Sequence, residues 1–415
     1  MNNTKDEANT GPAEAPAPEP APLLELREVR PPVIETAEAL QAYCRAVADG
    51  SGPVAIDAER ASGYRYSQRA YLIQVRRDGA GIGLIDPLPF EDLSELQDAI
   101  GTTEWILHAA TQDLVCLAEV GLRPHTLFDT ELAGRLLNLP RVGLATLVEH
   151  YFGQTMAKEH SAADWSTRPL PDTWLEYAAL DVEVLCELRD LLAAELDAAG
   201  KLDWARQEFD ALLSFAGPPR REEPWRRTSG MHRARGRRAL AIVRNVWETR
   251  DAIAQQRDTA PGRILPDASI VELAAHPPQS VAELKGMRIM RNRGPRRFLD
   301  QWMDAVTAAL DLPEHELPTG TRRREGPPPP RSWADKNPPA AERLGRCREV
   351  IAKLSAEHNL PSENLISPAI VRALAWEPPE AISTNSTADA LITGGARPWQ
   401  VELTAEHLAG ALATP

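Results

Sequence analysis

An α/β domain with a central sheet, followed by two small all-α modules, is the architecture this chain predicts. Three observations carry it. Short apolar runs alternate with helical periods from about Leu24 to Phe215. AGPPRREEP at 216–224 breaks the alternation, and the segment after it is helical and basic. A proline run at 327–330 then separates a last helical stretch.

In chain order, the strands are expected at Pro53–Asp57, Tyr71–Val75, Gly83–Asp86 and Trp105–His108. DGAG at 78–81 and DPLP at 86–89 supply turns between them. Helical periods come next at Leu114–Val120, Glu131–Leu137, Leu144–Phe152 and, as one long helix, Thr173–Ala198. In the basic segment, helices are expected at Arg237–Gln256, Asp267–His276, Val281–Leu284 and Pro295–Leu310. The 415 residues divide accordingly. A Pro/Ala/Glu-rich tail at 1–23, which cannot bury a core, precedes the α/β domain at 24–215. A linker at 216–230 leads to a helical module at 231–312; a Pro-rich linker at 313–340 leads to a second at 341–415. Two successive helical modules hint at duplication, without a clean repeat period.

The net charge is −14, yet residues 218–300 alone carry +9, eighteen Arg or Lys against nine Asp or Glu. That local excess favours contact with a phosphate backbone. It is concentrated in RRTSGMHRARGRR, with Arg235, Arg237 and Arg238, and in MRIMRNRGPRR, with Arg291, Arg293, Arg296 and Arg297. Four scattered cysteines make no C-x-x-C pair, so neither a thiol–zinc site nor a disulfide framework is signalled. No apolar stretch approaches the length of a membrane span, and the N-terminus has no signal-peptide pattern. A cytoplasmic, monomeric protein with reduced thiols and no membrane contact is the expectation.

The chemistry lies in the carboxylates. VAIDAER, 54–60, ends an apolar run in Asp57 and Glu59, which share a strand face because side chains alternate. Two buried like charges are costly without a cation, so D-x-E alone reads better as a solvated strand end or as paired with Arg60. LHAATQDLV, 107–115, places Asp113 after a later strand, where alone it complements a helix dipole. YAALDVEVLCEL, 177–188, puts Tyr177 and Asp181 on one helix face. Together these are four carboxylates and a phenol in one domain. Hard oxygen donors suit Mg²⁺ or Mn²⁺. Two such ions, about 3.5–4 Å apart, activate a water and stabilise the leaving oxygen of a phosphodiester cleavage.

These motifs, in this order, resemble the ribonuclease D family, in the Tyr-containing branch of the DEDD 3′→5′ exonucleases. VAIDAER with YLIQV, LHAATQDL, LFDTELAGRLL and KEHSAADWSTRPLPDTWLEYAALDVEVLCEL carry the resemblance over roughly 30–215. Residues 234–280 resemble the HRDC domain, and 341–415, more weakly, a second such module. The resemblance implies a ribonuclease H-like domain with a mixed central sheet. It also implies two divalent ions as cofactors. Asp57 would bridge both ions, Glu59 and Asp181 would complete the one that activates water, and Asp113 would hold the second largely through water. Tyr177 would orient the attacking water. Its reference pKa near 10 makes it a poor base.

Other residues carry weaker signals. ASGYRYSQRA, 61–70, is richer in Arg and Tyr than the family pattern leads one to expect. Its Arg65 and Arg69 are candidates for phosphate contact and Tyr64 or Tyr66 for base stacking, against an equal case for a solvated loop. His108 is a substrate candidate, although a hydrogen-bonded histidine at a strand end is the better reading. Lys158 and Arg168 are candidates for a substrate phosphate. Asp129 reads as a helix N-cap rather than a fifth ligand.

The expected activity is 3′→5′ exoribonucleolytic release of nucleoside 5′-monophosphates. The substrate would be a single-stranded RNA 3′ end on a structured RNA such as a tRNA precursor. A DNA exonuclease acting in repair shares the same motifs, and a catalytically inactive nucleic-acid adaptor is the alternative of another class.

Overall fold

In the computed structural model, the described residues are 21–157, 160, 162–219, 221–320 and 326–414. Lys158 and residues 1–20 of the expected tail lie outside them. The last tail residues are tied down: Thr155 N–H donates to the Pro22 carbonyl and Leu24 N–H to the Thr155 carbonyl, both at 2.8 Å.

Six strands build the sheet: β1 (Val33–Ile34), β2 (Ser51–Arg60), β3 (Ala70–Asp78), β4 (Gly81–Ile85), β5 (Glu104–Leu107) and β6 (Thr126–Asp129). Their order is β1-β4-β3-β2-β5-β6. β2–β3–β4 is an antiparallel meander, and β1, β5 and β6 join in parallel, so the sheet is mixed. β2 is central and reads as an unbroken apolar run because Val54, Ala55 and Ile56 are buried on both faces.

The helices of this body are α1 (Ala37–Asp49), α2 (Ser94–Ile100), α3 (Leu114–Glu119), α4 (Thr130–Leu136), α5 (Leu144–Phe152), α6 (Asp172–Glu183), α7 (Leu185–Ala198) and α8 (Leu202–Leu212). The single helix expected over Thr173–Ala198 divides at Val184, whose backbone leaves the helical region (φ −114°, ψ 6°). Val184 is buried against Leu24 and Val148. The break lets α6 lie over β2–β4 through Leu175, Ala178 and Ala179, while α7 turns toward β2 and β5. A single straight helix would not serve both contacts.

The basic module contains α9 (Arg237–Gln256), α10 (Pro261–Ile264), α11 (Asp267–Ala275), α12 (Val281–Gly286), α13 (Arg293–Arg296) and α14 (Leu299–Asp311). The helix expected over Pro295–Leu310 is interrupted at Phe298 (φ −125°, ψ 28°). There Trp302 donates its indole N–H to the Pro295 carbonyl at 2.9 Å. The module has its own core around Leu240, Val243, Leu273 and Trp302, and Trp225, from the segment expected as linker, is part of it.

The last module comprises α15 (Trp333–Lys336), α16 (Pro338–Glu357), α17 (Ser362–Leu365), α18 (Pro368–Trp376), α19 (Thr384–Thr393) and α20 (Pro398–Ala413). Its core is continuous with that of the sheet body. The seam is made by Trp399 stacked on Trp204 of α8 at 4.9 Å. Lys201 seals it, donating to the Leu136 and Asn359 carbonyls at 2.8 Å each. Among the described residues no helix is long and apolar enough to cross a membrane.

Candidate active site

The chain turns three separate segments into one cleft at the C-terminal end of β2. Its walls include Asp57, Glu59, Arg60, His108, Gln112, Asp113, Tyr177 and Asp181, around about 250 Å³.

β2 delivers the first pair. Asp57 lies opposite Gln74 of β3 and Glu59 opposite Leu72, so both carboxylates face α6. After Glu59 the register slips, and Arg60 pairs with Ala70. A slip of this kind re-aims side chains. Arg60, which strict alternation would send to the other face, shares the cleft and lies 3.8 Å from Asp113.

Asp113 arrives through a strained turn. Ala109, just after β5, has φ 58°, a left-handed conformation costly for a residue with a Cβ. Asp129 holds the turn. Its carboxylate accepts from Ala109 N–H at 3.2 Å and Ala110 N–H at 2.8 Å. It also caps α4, accepting from Glu131 and Leu132 N–H at 2.9 and 3.0 Å. Asp129 is therefore an N-cap that also positions the segment leading to Asp113.

α6 delivers Tyr177 and Asp181 one helical turn apart. Oxygen atoms of Asp57, Glu59 and Asp181 all lie within 4.8 Å of one another. Burial raises the pKa of each of these carboxyls and of Asp113, and mutual repulsion raises those of Glu59, Asp113 and Asp181 further. Arg60 offsets this only in part. Burial, then the charges of Asp181, Glu59 and Asp57, push the Tyr177 phenol well above its ordinary value, so it is neutral at physiological pH. Four acidic groups with oxygen donors and one nearby guanidinium fit divalent cations of the Mg²⁺ class.

His108 also lines the cleft. Its Nδ1 lies 2.9 Å from Thr130 Oγ1, and Thr130 in turn donates to the Leu107 carbonyl. With the Thr130 proton on the Leu107 carbonyl, the tautomer that fits is the one with Nδ1 protonated and Nε2 as the acceptor. Burial lowers its pKa to about 4.

The remaining phosphate candidates go elsewhere. Arg168 grips Asp86 with two nitrogens, at 2.6 and 2.8 Å, and donates to the carbonyls of Tyr71, Trp165 and Thr167. It is a brace between the loop before α6 and the sheet. Arg65 donates to Ser166 Oγ at 2.8 Å, and Arg69 lies over the Tyr71 ring. Tyr64 and Tyr66 are likewise engaged with the basic module. Arg263 stacks on the Tyr64 ring at 4.1 Å and donates to the Gly63 carbonyl at 2.8 Å, while the Tyr66 hydroxyl donates to Asp251 at 3.2 Å. The 61–70 loop is therefore an interdomain seam rather than a base-stacking platform.

The basic patch also divides. Arg237 donates to the Glu314, Leu317 and Pro318 carbonyls, and Arg238 to those of Ala309, Leu310 and Leu312. Arg238 ties down the end of α14, and Arg237 the segment that follows it. Arg235, Arg291, Arg293, Arg296 and Arg297 are exposed, as are Lys285 and Arg288 beside them. Arg60, Gln112 and the turn-holding role of Asp129 were not assigned from sequence. The D-x-E-R string offered Arg60, but its direction depends on the register slip.

A family model described as 3′-5′ exonuclease matches residues 31–197, an HRDC domain model matches 239–306, and a 3′ to 5′ exonuclease C-terminal domain model matches 326–412. A ribonuclease D of Jannaschia sp. is 30% identical over 350 residues, covering 81% of this chain and 86% of the relative. A crystal structure of a protein from Bifidobacterium adolescentis superposes with a TM-score of 0.88 at 40% identity, covering 95% of this chain and 100% of that one. Escherichia coli RNase D, described as an exoribonuclease involved in structured RNA processing, superposes with a TM-score of 0.66 at 27% identity over 92% of this chain and 99% of its own.

Proposed function

Because the chain belongs to the ribonuclease D family and is a 3′→5′ exoribonuclease, we propose that Asp57, Glu59, Asp113, Tyr177 and Asp181 form its catalytic site. The observation that carries this reading is the convergence of four carboxylates and one phenol from β2, the turn after β5, and α6 into a single cleft. Asp57, Glu59, Asp113 and Asp181 would hold two divalent ions, Mg²⁺ or Mn²⁺. When bound, such ions activate water and stabilise the leaving oxygen of a phosphodiester.

The chain's own residues have distinct tasks in the reaction. The neutral Tyr177 phenol, beside Asp181, hydrogen-bonds the attacking water and fixes its direction. It does not take the proton. His108 presents Nε2 toward the cleft as an acceptor for a hydroxyl of the terminal nucleotide. Arg60 supplies positive charge at the cleft wall, next to Asp113. Water adds to the terminal phosphodiester, the P–O3′ bond breaks, and a nucleoside 5′-monophosphate leaves with a new 3′-hydroxyl on the shortened chain.

The division into a nuclease domain at 24–215 and helical modules at 231–312 and 341–415 fits this reading. The modules would hold the body of a structured RNA, such as a tRNA precursor, while its 3′ end enters the cleft. We place the enzyme as a monomer in a reducing cytoplasm, in keeping with four free, buried cysteines.

Asp57→Asn or Asp181→Asn should fold and lose hydrolysis by three or more orders of magnitude on a 3′-tailed RNA, measured with and without EDTA. Wild-type turnover in either variant overturns the site. A DNA of the same sequence, cleaved faster than the RNA, overturns the proposed RNA substrate.

A further inference from the structure

Gln74 is the most anomalous buried group near the cleft. Its side chain is fully buried, yet neither Nε2 nor Oε1 makes a hydrogen bond. A buried amide with both ends unpaired is costly, so its surroundings should show what it is for.

The sheet specifies those surroundings. Gln74 faces Asp57 across the β2–β3 ladder and Leu84 across β3–β4. Directly opposed residues of an antiparallel pair share a face, with Cβ atoms about 4.5–5.5 Å apart. Leu84 offers no polar partner. Two residues along the strand, on the same face, stands Arg76. Its Nη1 is also buried and without a hydrogen bond. The ion pairs of Arg76 are long, 3.6 Å to Asp78, 4.0 Å to Glu183 and 3.6 Å to Glu187. Asp57, Gln74 and Arg76 thus form a polar stripe across β2 and β3, otherwise bounded by Leu72, Leu84 and Ala178. Along it the chemistry alternates: a carboxylate that needs a donor, an amide with one donor end and one acceptor end, and a guanidinium with a spare donor.

We infer that Gln74 is a positioning residue for Asp57. Neither bond is made in the structure; when Asp57 is ionised and holds a cation, a turn of the amide brings its Nε2–H to the Asp57 carboxylate and its Oε1 to Arg76, which fixes which way the amide points. The bond matters most when Asp57 is ionised and bound to cations, because a carboxylate accepts a far stronger hydrogen bond than a carboxylic acid. Partners of this kind orient metal-binding groups, and their loss typically costs about 10–100-fold in metal affinity or activity.

The inference rests on the assignment of Asp57 as a metal ligand. The test is Gln74→Met, which preserves size and removes both polar ends. Four quantities are measured: the Mn²⁺ dissociation constant by calorimetry, the melting midpoint in EDTA, and kcat and KM on a short single-stranded RNA. Mn²⁺ binding should weaken about 10–100-fold and kcat should fall with KM unchanged. The midpoint in EDTA should hold or rise, since two unpaired buried atoms are gone. A lowered midpoint with unchanged Mn²⁺ affinity would mean Gln74 only fills space, and the inference fails. Unchanged affinity and turnover overturn it too.

A wild-type measurement needs no variant to fold. Titration with diamagnetic Mg²⁺ should move the side-chain amide resonance of Gln74 in the NMR spectrum, and a resonance that does not move overturns the inference. If the wild type binds no Mn²⁺, the active-site reading itself has failed. If the wild type binds and Gln74→Met binds equally well, only the role of Gln74 is lost.

Discussion

Asp57, Glu59, Asp113 and Asp181 stand where burial disfavours their charged forms, and repulsion between carboxylates adds to this at Glu59, Asp113 and Asp181. The linkage has a definite sign. Each folded-state pKa lies above the unfolded carboxyl value of about 4, so the folded chain binds more protons. Without cations, stability is fully present below pH 4 and is lost as pH rises through the folded values. Thermal melts in EDTA should therefore show a midpoint that falls from pH 5 to pH 8, and saturating Mn²⁺ should remove most of the slope. Asp57→Asn should be more stable than wild type in EDTA at pH 8, by about 1.4 kcal/mol for each pKa unit of elevation it relieves. A wild-type midpoint indifferent to both pH and Mn²⁺ would contradict this electrostatic account. Tyr177→Phe acts differently: kcat should fall about 10²-fold from misdirected water while Mn²⁺ affinity is kept. The carboxylates themselves were legible because strand and helix periods are local. The engagement of Arg168 was not, because its partners Asp86 and Tyr71 lie 82 and 97 residues away.

At the scale of elements, the seam at 61–70 links catalysis to the basic module. This loop leaves the cleft directly after Glu59 and Arg60. Asp258, at the end of α9 with φ 43°, accepts from Ser67 N–H at 2.8 Å and from the Tyr71 hydroxyl at 3.4 Å. Ala260 N–H donates to the Tyr64 carbonyl at 3.0 Å. A non-glycine residue held in the left-handed region by tertiary bonds indicates a docking point under constraint. Asp258→Ala leaves the loop N–H unpaired and keeps the backbone strain. It should cost about 1–3 kcal/mol of docking and increase protease cleavage within 61–70. Hydrolysis of a short single strand should persist, while a 3′-tailed hairpin should be lost preferentially. Equal loss on both substrates would make the loop part of the chemistry instead. The Arg/Tyr richness of this loop was visible in sequence, and its target was not, because the partners are nearly 200 residues distant. The strands missed in sequence, β1 and β6, fail for another reason. They are two and four residues long and are defined by parallel pairing to distant strands rather than by their own period.

Across the whole molecule, charge is segregated: an acidic chain of net −14 carries +9 over residues 218–300. That asymmetry survives in the fold, but only part of it faces outward. Arg238 is spent on carbonyls at the end of α14 and Arg237 on those of the segment after it, so their loss should act on stability. Arg288, Arg291, Arg293, Arg296 and Arg297 remain exposed around α13. α13 also adjoins the cleft indirectly, since a Cβ on Gly294 would lie 3.1 Å from the Arg263 carbonyl and Arg263 rests on Tyr64 of the seam. The exposed arginines are therefore fixed relative to the cleft through a short chain of contacts. Replacing Arg293, Arg296 and Arg297 together by Gln should weaken binding to a 3′-tailed RNA hairpin. The slope of log affinity against log salt should shrink by roughly 0.7–0.9 for each phosphate the variant no longer neutralises. The melting midpoint and turnover on a dinucleotide should stay at wild-type values. Arg237→Gln with Arg238→Gln should give the reverse: a lower midpoint with the salt slope retained. If the two sets exchange behaviours, the α13 surface is structural and the phosphate-binding face of this module lies elsewhere.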